Sequence, residues 1–238
     1  MKRFIIEDEF LELFPKAKLG IIVFHGIDNR VKDSKKYEKM LWEAEKQAMN
    51  YLTDDVLSNN EVVKVWREAF QKFKTKKGAR ASIEAMLKRV QKGNSIGTIN
   101  PAVDIYNSVS LKYALPCGGE VLDTFIGNIR LTKASGDEEF ITLGTDKSEP
   151  PYVGEIIYKD DAGAICRCWN WRESVRTMLT EDTKNAFFCI ESVDERRQSD
   201  LEMAVKELAR LIEENLGGNY KTAILDKDNK EIIIAENL

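Results

Sequence analysis

Hydrophobic positions recur along this chain with two periods, and the period changes near residue 116. Continuous apolar runs at 3–6 and 18–25, the second ending in LGIIVFHG, predict two strands joined by a short turn or helix. From residue 34 the spacing becomes helical, with Tyr37, Met40, Leu41, Ala44, Ala48 and Leu52 on one stripe. A second helix is predicted over 60–73, where Val62, Val63, Trp66, Ala69 and Phe70 form the apolar face. A third runs over 81–91 and stops at Lys92-Gly93-Asn94, a helix C-terminus signal. Pro101 suits the first position of a fourth helix, which ends before Pro116.

Beyond Pro116 short β-like runs take over: NIRLTKA, EEFITLG, GEIIYKD, AICRCWN and NAFFCIESV. Turn signals at 135–137, 144–146 and 160–163 separate them, and the last predicts a hairpin between GEIIYKD and AICRCWN. A long amphipathic helix, DERRQSDLEMAVKELARLIEENLGG, follows, and YKTAILDKDNKEIIIAEN reads as a closing hairpin around 226–229. Strands that come in runs instead of alternating with helices predict an α+β fold with mainly antiparallel pairing. Neither an internal repeat nor a linker breaks the chain, so 1–238 reads as a single domain.

Composition narrows the function classes. With 43% apolar and 32% charged residues in 238, the chain is too apolar for intrinsic disorder. No run approaches the roughly 20 apolar residues of a membrane span, and MKRFIIEDEF lacks a signal-peptide core, so no membrane and a cytoplasmic location are expected. Cys166 and Cys168 form C-x-C, not a zinc knuckle; in a strand they share a face and read, with Cys117 and Cys189, as buried thiols. His25 is the single histidine, which rules out a multi-histidine metal site. It reads as a strand-end residue, with general base as the sharper alternative. No cofactor and no metal are therefore expected.

Charge is uneven. The net charge is -4, yet residues 71–92 hold eight basic residues and one acid. Lys72, Lys74, Lys76, Lys77 and Arg80 can contact phosphates and steer a polyanion, or can be a solvated face. The bulk acidity speaks against coating DNA.

Two segments concentrate polar and aromatic groups. In the helix at 100–108, Asp104, Asn107 and Ser108 share a face. In the segment 167–172, Trp169 and Trp171 bracket Asn170, and Arg167, Arg172 and Arg176 are near in sequence. That set offers a stacking wall, an amide and anion-binding forks, or else a core tryptophan pair with an arginine network.

These segments carry a family resemblance. INPAVDIYNSVSLKYALPCGGEVLD (99–123), NIRLTKASGDEEFITLG (128–144) and GEIIYKDDAGAICRCWNWRESVRTMLTEDTKNAFFCIE (154–191) resemble the B3/B4-type editing domain of the phenylalanyl-tRNA synthetase beta subunit, and more closely its free-standing relatives. The resemblance implies a three-layer β/β/α sandwich with its core at 81–192. Residues 1–80 then form a mainly helical N-terminal elaboration, and 193–238 a covering helix and hairpin. It also implies a tRNA partner bound by its aminoacylated 3′ end, and hydrolysis of a mischarged ester, which adds discrimination that binding alone supplies poorly.

Carried over residue by residue, the family's Thr-Asn pair falls on Tyr106 and Asn107, and its histidine on Gly118. Its late-strand glutamate falls on Cys189 by direct count, or on Glu191 after a two-residue shift along the same strand face. The implied site has Asn107, Asn170 or Glu191 holding a water, with the vicinal ribose hydroxyl assisting. Tyr106, Gly118, Trp169, Trp171, Arg172 and Arg176 contact the substrate, the arginines holding the terminal phosphate or the developing oxyanion. Two rival readings stand beside it: a non-catalytic module for tRNA or an amino acid, favoured by the lost histidine, and a small-molecule hydrolase indifferent to tRNA.

Overall fold

The computed structural model describes residues 1–236; residues 237–238, the end of the expected closing segment, lie outside the described residues. Two β-sheets and a helical layer stack as three layers, the β/β/α sandwich of an α+β fold.

The apolar runs near the N-terminus become β1 (Lys2–Ile6) and β2 (Lys18–His25), with α1 (Asp8–Leu13) between them. The helical stripes become α2 (Ser34–Ala48), α3 (Glu61–Phe70), α4 (Ser82–Gln91) and α5 (Pro101–Tyr113). Asn100 caps α5 by accepting from the Val103 amide, and Pro101 takes the first helical position. Ala114 ends that helix in the left-handed region at φ 45°.

The β-rich half supplies β3 (Cys117–Val121), β4 (Ile129–Lys133), β5 (Ile156–Asp160), β6 (Gly163–Arg167), β7 (Arg172–Glu173) and β8 (Asn185–Ser192). Then come α6 (Gln198–Leu216) and the hairpin of β9 (Asn219–Leu225) with β10 (Glu231–Ala235). The expected strand in EEFITLG does not form. Glu138 closes the preceding turn by accepting from the Ser135 and Gly136 amides, and the backbone beyond it bonds singly to scattered partners, the Ala164 and Val175 amides and the Ser148 hydroxyl, so no ladder forms.

One sheet has the order β10-β1-β4-β5-β6-β7 and the other β3-β8-β2-β9. Only β1 with β4 is parallel among the described strand pairs. The N-terminal elaboration is thus also structural to both sheets: β1 lies inside the first and β2 inside the second.

Period-2 alternation along β8 divides the core. Phe187 and Cys189 join Phe4, Leu131, Ile156 and Trp169 between the sheets. Ala186, Phe188 and Ile190 face the other way, onto α5 and α6. Helix α6 lies so close to β2 that a Cβ on Gly20 would sit 2.1 Å from a Val205 methyl, which explains glycine inside that buried strand.

Candidate functional site

The alternation that buries Phe187 and Cys189 between the sheets also turns Glu191 inward, and all three line a cavity of about 270 Å³. Tyr106 reaches it from α5, Cys117, Gly118 and Glu120 from β3, and Tyr158, Ile165 and Cys166 from the β5–β6 hairpin. Tyr158 and Cys166 are direct cross-strand partners there. Ser82, at the start of α4, lines it as well, with its hydroxyl buried and without a partner.

The wall opposite β8 is made by the turn from Arg167 to Arg172. The four thiols are free and buried or partly buried as expected, but Cys166 and Cys168 do not share a strand face: Cys166 lies in β6, whereas Cys168 and Trp169 beyond it both adopt positive φ, 45° and 63°. Two consecutive non-glycine residues in that region cost about 1–2 kcal/mol each, so the surroundings must hold them. The Arg167 guanidinium, 2% exposed, forks onto Glu155, 0% exposed, at 3.0 and 2.8 Å. Glu155 also accepts from the Cys168 amide at 2.8 Å, and the Trp169 amide donates to the Ile156 carbonyl at 2.6 Å. The turn drives Trp169 inward, against Phe10, Phe14 and Trp66 at centroid distances of 4.8, 4.6 and 5.0 Å. Trp171 stays partly exposed, with the Arg172 guanidinium 5.0 Å above its ring.

Glu191 is the most heavily bonded carboxylate in the cavity. Its Oε1 accepts from the Tyr158 hydroxyl and from Trp169 Nε1 at 2.8 Å, and its Oε2 accepts from the Asn170 amide. Asn170 is itself fixed by the Ser82 amide, which donates to its Oδ1 at 3.3 Å. Burial raises the Glu191 carboxyl to about 7, against the pull of its three donors toward the ionised form. Burial likewise raises Glu173 to about 7 and pushes Glu120 well above the carboxylate range, with the charge of Glu173 adding to the effect on Glu120. It also pushes up the Cys117, Cys166 and Cys189 thiols, which leaves them protonated and poorly nucleophilic.

Of the residues singled out from sequence, Tyr106, Gly118, Trp169, Asn170, Trp171, Arg172 and Glu191 line this one cavity. The two residues matched to the family glutamate, Cys189 and Glu191, lie on the same strand face, both in the lining. Asn107 does not line it: a helical step of 100° from Tyr106 turns it off the cavity side. Arg176 does not line it either, because its guanidinium forks onto Asp160 at 2.9 and 2.7 Å and reaches the Thr124 carbonyl. His25 is exposed at the end of β2 beside Asn185. At Gly118 a Cβ would meet nothing within 4 Å, so the cavity is open where the family's histidine falls.

Glu120, Glu173 and Tyr158 escaped the sequence reading. The signal for Tyr158 was in the predicted hairpin, whose pairing sets it opposite Cys166. Glu120 sits in a run of glycines and apolar residues, where a lone carboxylate was the available clue.

One member of the basic stretch, Lys76, reaches the mouth. The Lys76 amide donates to Cys168 Sγ at 3.4 Å, its ammonium lies 6.0 Å from the Trp171 ring centre, and its side chain pairs with Glu149. Lys72, Lys74, Lys77 and Arg80 are exposed, with Lys72 near the Phe14 ring, Lys74 near the Tyr152 ring and Arg80 3.7 Å from the Glu84 carboxylate. A neighbouring depression of about 290 Å³ shares Trp171 and Arg172 with the cavity and is lined by Lys76 as well. A carboxylate-rich, aromatic-walled cavity is therefore entered past a cationic, partly aromatic rim.

The cavity lies between the two sheets of the β/β/α sandwich, with its carboxylates inside and Arg172 at its mouth. The B3/4 domain family model matches residues 65–216, and the chain belongs to that family. The match takes in most of α3 and all of α6 as well as the motifs read from sequence. Among solved structures, the chain is similar to an N-terminal fragment of the phenylalanyl-tRNA synthetase beta subunit from Pyrococcus horikoshii. The identity is 13% and the TM-score 0.49, over 96% of this chain and 53% of that one. The chain thus spans about half the length of that fragment. No curated protein matches it. No helix among the described residues is long and apolar enough to cross a membrane.

Proposed function

We propose that this protein hydrolyses the ester of a mischarged aminoacyl-tRNA, acting in trans in the cytoplasm. The observation that carries the reading is the juxtaposition of a carboxylate-bearing, aromatic-walled cavity with a cationic rim. An aminoacylated 3′ end has the complementary order: phosphates outside, a stackable adenine next, and a small amino acid at the tip.

The rim takes the backbone. Arg172 and the lysines at 72–77 contact phosphates, and Trp171 offers its partly exposed ring to the terminal adenine. The aminoacyl group enters between Trp169 and Phe187. Glu191, raised to about 7, is substantially ionised at neutral pH, and its Oε2 accepts only from Asn170, so it can also accept from a water. That water attacks the ester carbonyl carbon and gives its proton to Glu191. The tetrahedral intermediate collapses with cleavage of the bond to the ribose oxygen. The proton passes to that oxygen from Glu191 or by way of the vicinal hydroxyl, releasing free amino acid and tRNA. An aminoacyl ester is already labile, so positioning plus one base suffices. No role falls to Asn107 or Arg176 in this scheme.

The open position at Gly118 favours one rival: a module that binds a charged tRNA or an amino acid without turnover. The two readings share the rim. Neutralising Lys72, Lys74, Lys76 and Lys77 together is expected to flatten the salt dependence of tRNA binding, by up to ~0.7 in log–log slope for each phosphate that the rim no longer neutralises. Equilibrium binding across a salt series measures this. An unchanged slope contradicts the assignment of the rim.

A further inference from the structure

Of the three cavity glutamates, Glu191 is already bonded to Tyr158, Trp169 and Asn170. Glu120 and Glu173 are different. Glu120 Oε2 is buried without a hydrogen-bond partner. Arg176, whose charge reaches Glu120, forks onto Asp160 instead. Arg172 is the one cation in the lining among the described residues, and it lies over Trp171 at the mouth. The cavity therefore holds two carboxyls without an ion-pair contact among the described residues, next to apolar walls formed by Phe125, Ile165 and Phe187.

A buried carboxyl in this position is satisfied by a proton or by a cation from outside. We infer that Glu120 and Glu173 receive the free α-ammonium of the substrate's aminoacyl group, so that the site accepts esters with a free amine and rejects N-acylated ends such as peptidyl or formylated tRNA. This deepens the function proposed above and rests on that reading. The substrate class follows from chemistry on both sides. An ammonium offers donors to the unpartnered Glu120 Oε2 and to the neighbouring Glu173, while the amino-acid side chain lies on the apolar wall. An N-acyl group removes the charge, so the two carboxyls keep their protons and the ion pairs are never made. Sites built around a buried polar group discriminate strongly against ligands that cannot satisfy it. An enzyme with such a clamp spares chains in the course of synthesis while clearing mischarged tRNA.

Burial raises Glu173 to about 7 and Glu120 well above its ordinary value, so in the empty cavity protons stand where the ammonium will be. An arriving ammonium displaces them, with proton release on binding as a secondary signature.

The test uses 3′-aminoacylamino-3′-deoxyadenosines spanning the common amino-acid side chains. Each is prepared with a free amine and as its N-acetyl counterpart, and binding is measured to the full-length protein. The amide link is not an ester, so affinity is read whether or not the protein turns substrate over. The free-amine form of the preferred side chain is expected to bind roughly tenfold or more tightly than its acetylated partner. Glu120→Gln and Glu173→Gln, which keep side-chain volume, are expected to narrow that ratio severalfold, with circular dichroism checking that each variant is folded. Equal affinities for the two forms in the unmodified protein overturn the inference. A ratio unchanged in both folded variants overturns it too. Failure of every analogue to bind overturns the inference together with the function it rests on. Discrimination without any deacylation of charged tRNA supports the clamp and contradicts only the hydrolytic reading.

Discussion

Glu191→Gln is expected to lower aminoacyl-tRNA hydrolysis by about 10²–10⁴-fold, the usual contribution of a positioned general base. The substitution preserves shape. Its amide oxygen can still accept from Tyr158 and Trp169 Nε1, but its amide nitrogen then faces the Asn170 amide, donor against donor. Asn170 cannot turn over freely, because its oxygen accepts from the Ser82 amide. A modest local loss of about 1–3 kcal/mol is the structural consequence, well short of unfolding, so loss of rate in a folded variant reports chemistry. The unmodified enzyme should gain rate as pH rises through about 7, where Glu191 gives up its proton, and the variant should lose that limb. The sign for stability is the reverse. Folding lifts the carboxyl to about 7 from about 4.3 in an unfolded chain, so its contribution is complete below about pH 4 and declines as pH rises through 7. The ionisation that arms the base thus loosens the fold around it. A pH–rate series and a parallel series of unfolding midpoints check both. Unaltered rates in the variant remove Glu191 from the reaction.

Trp169→Ala carries the second large effect, on stability: a loss of about 3–5 kcal/mol, as for large aromatic truncations in a core. Trp169 is 0% exposed and meets three aromatic rings. Its removal also leaves one Glu191 oxygen short of a donor and keeps a residue with a Cβ at φ 63°. At about 2–4 °C per kcal/mol for a chain of this size, the unfolding midpoint should fall by roughly 10 °C. Trp171→Ala, two residues on and partly exposed, should leave that midpoint nearly unchanged while weakening tRNA binding. Similar midpoints for the two variants would contradict the division of labour between an inner and an outer tryptophan.

That division marks where the sequence was legible and where it was not. Helical stripes such as Val62, Val63, Trp66, Ala69 and Phe70 declare their elements because one face must be buried, and each lies in the observed core. The alternation in NAFFCIESV declares a strand, and its period alone sets Phe187, Cys189 and Glu191 on one face. What could not be read is the turn at 168–171. A strand-like pattern, ICRCW, predicts continued alternation, but the buried Arg167–Glu155 pair imposes left-handed backbone on Cys168 and Trp169 instead. Glu155 lies twelve residues upstream of Arg167, and no local propensity announces that contact. Arg176 misled for a related reason: an arginine beside a tryptophan motif resembles an anion fork, yet its carboxylate partner, Asp160, comes from the end of β5. EEFITLG likewise forms no strand, because its Glu139 and Ile141 carbonyls bond to the distant Ala164 and Val175 amides one at a time instead of to one partner strand. Long-range polar pairs decided these positions, whereas the cavity's apolar frame followed from periodicity.

The most direct measurement is deacylation of a panel of correctly and incorrectly charged tRNAs by the purified protein, with a chelator present. The account predicts release of amino acid from one mischarged species, sparing the correctly charged ones, with the rate lost in Glu191→Gln. No release from any member of the panel, with tRNA still bound in a salt-dependent way, would contradict it and leave a binding module on an editing fold.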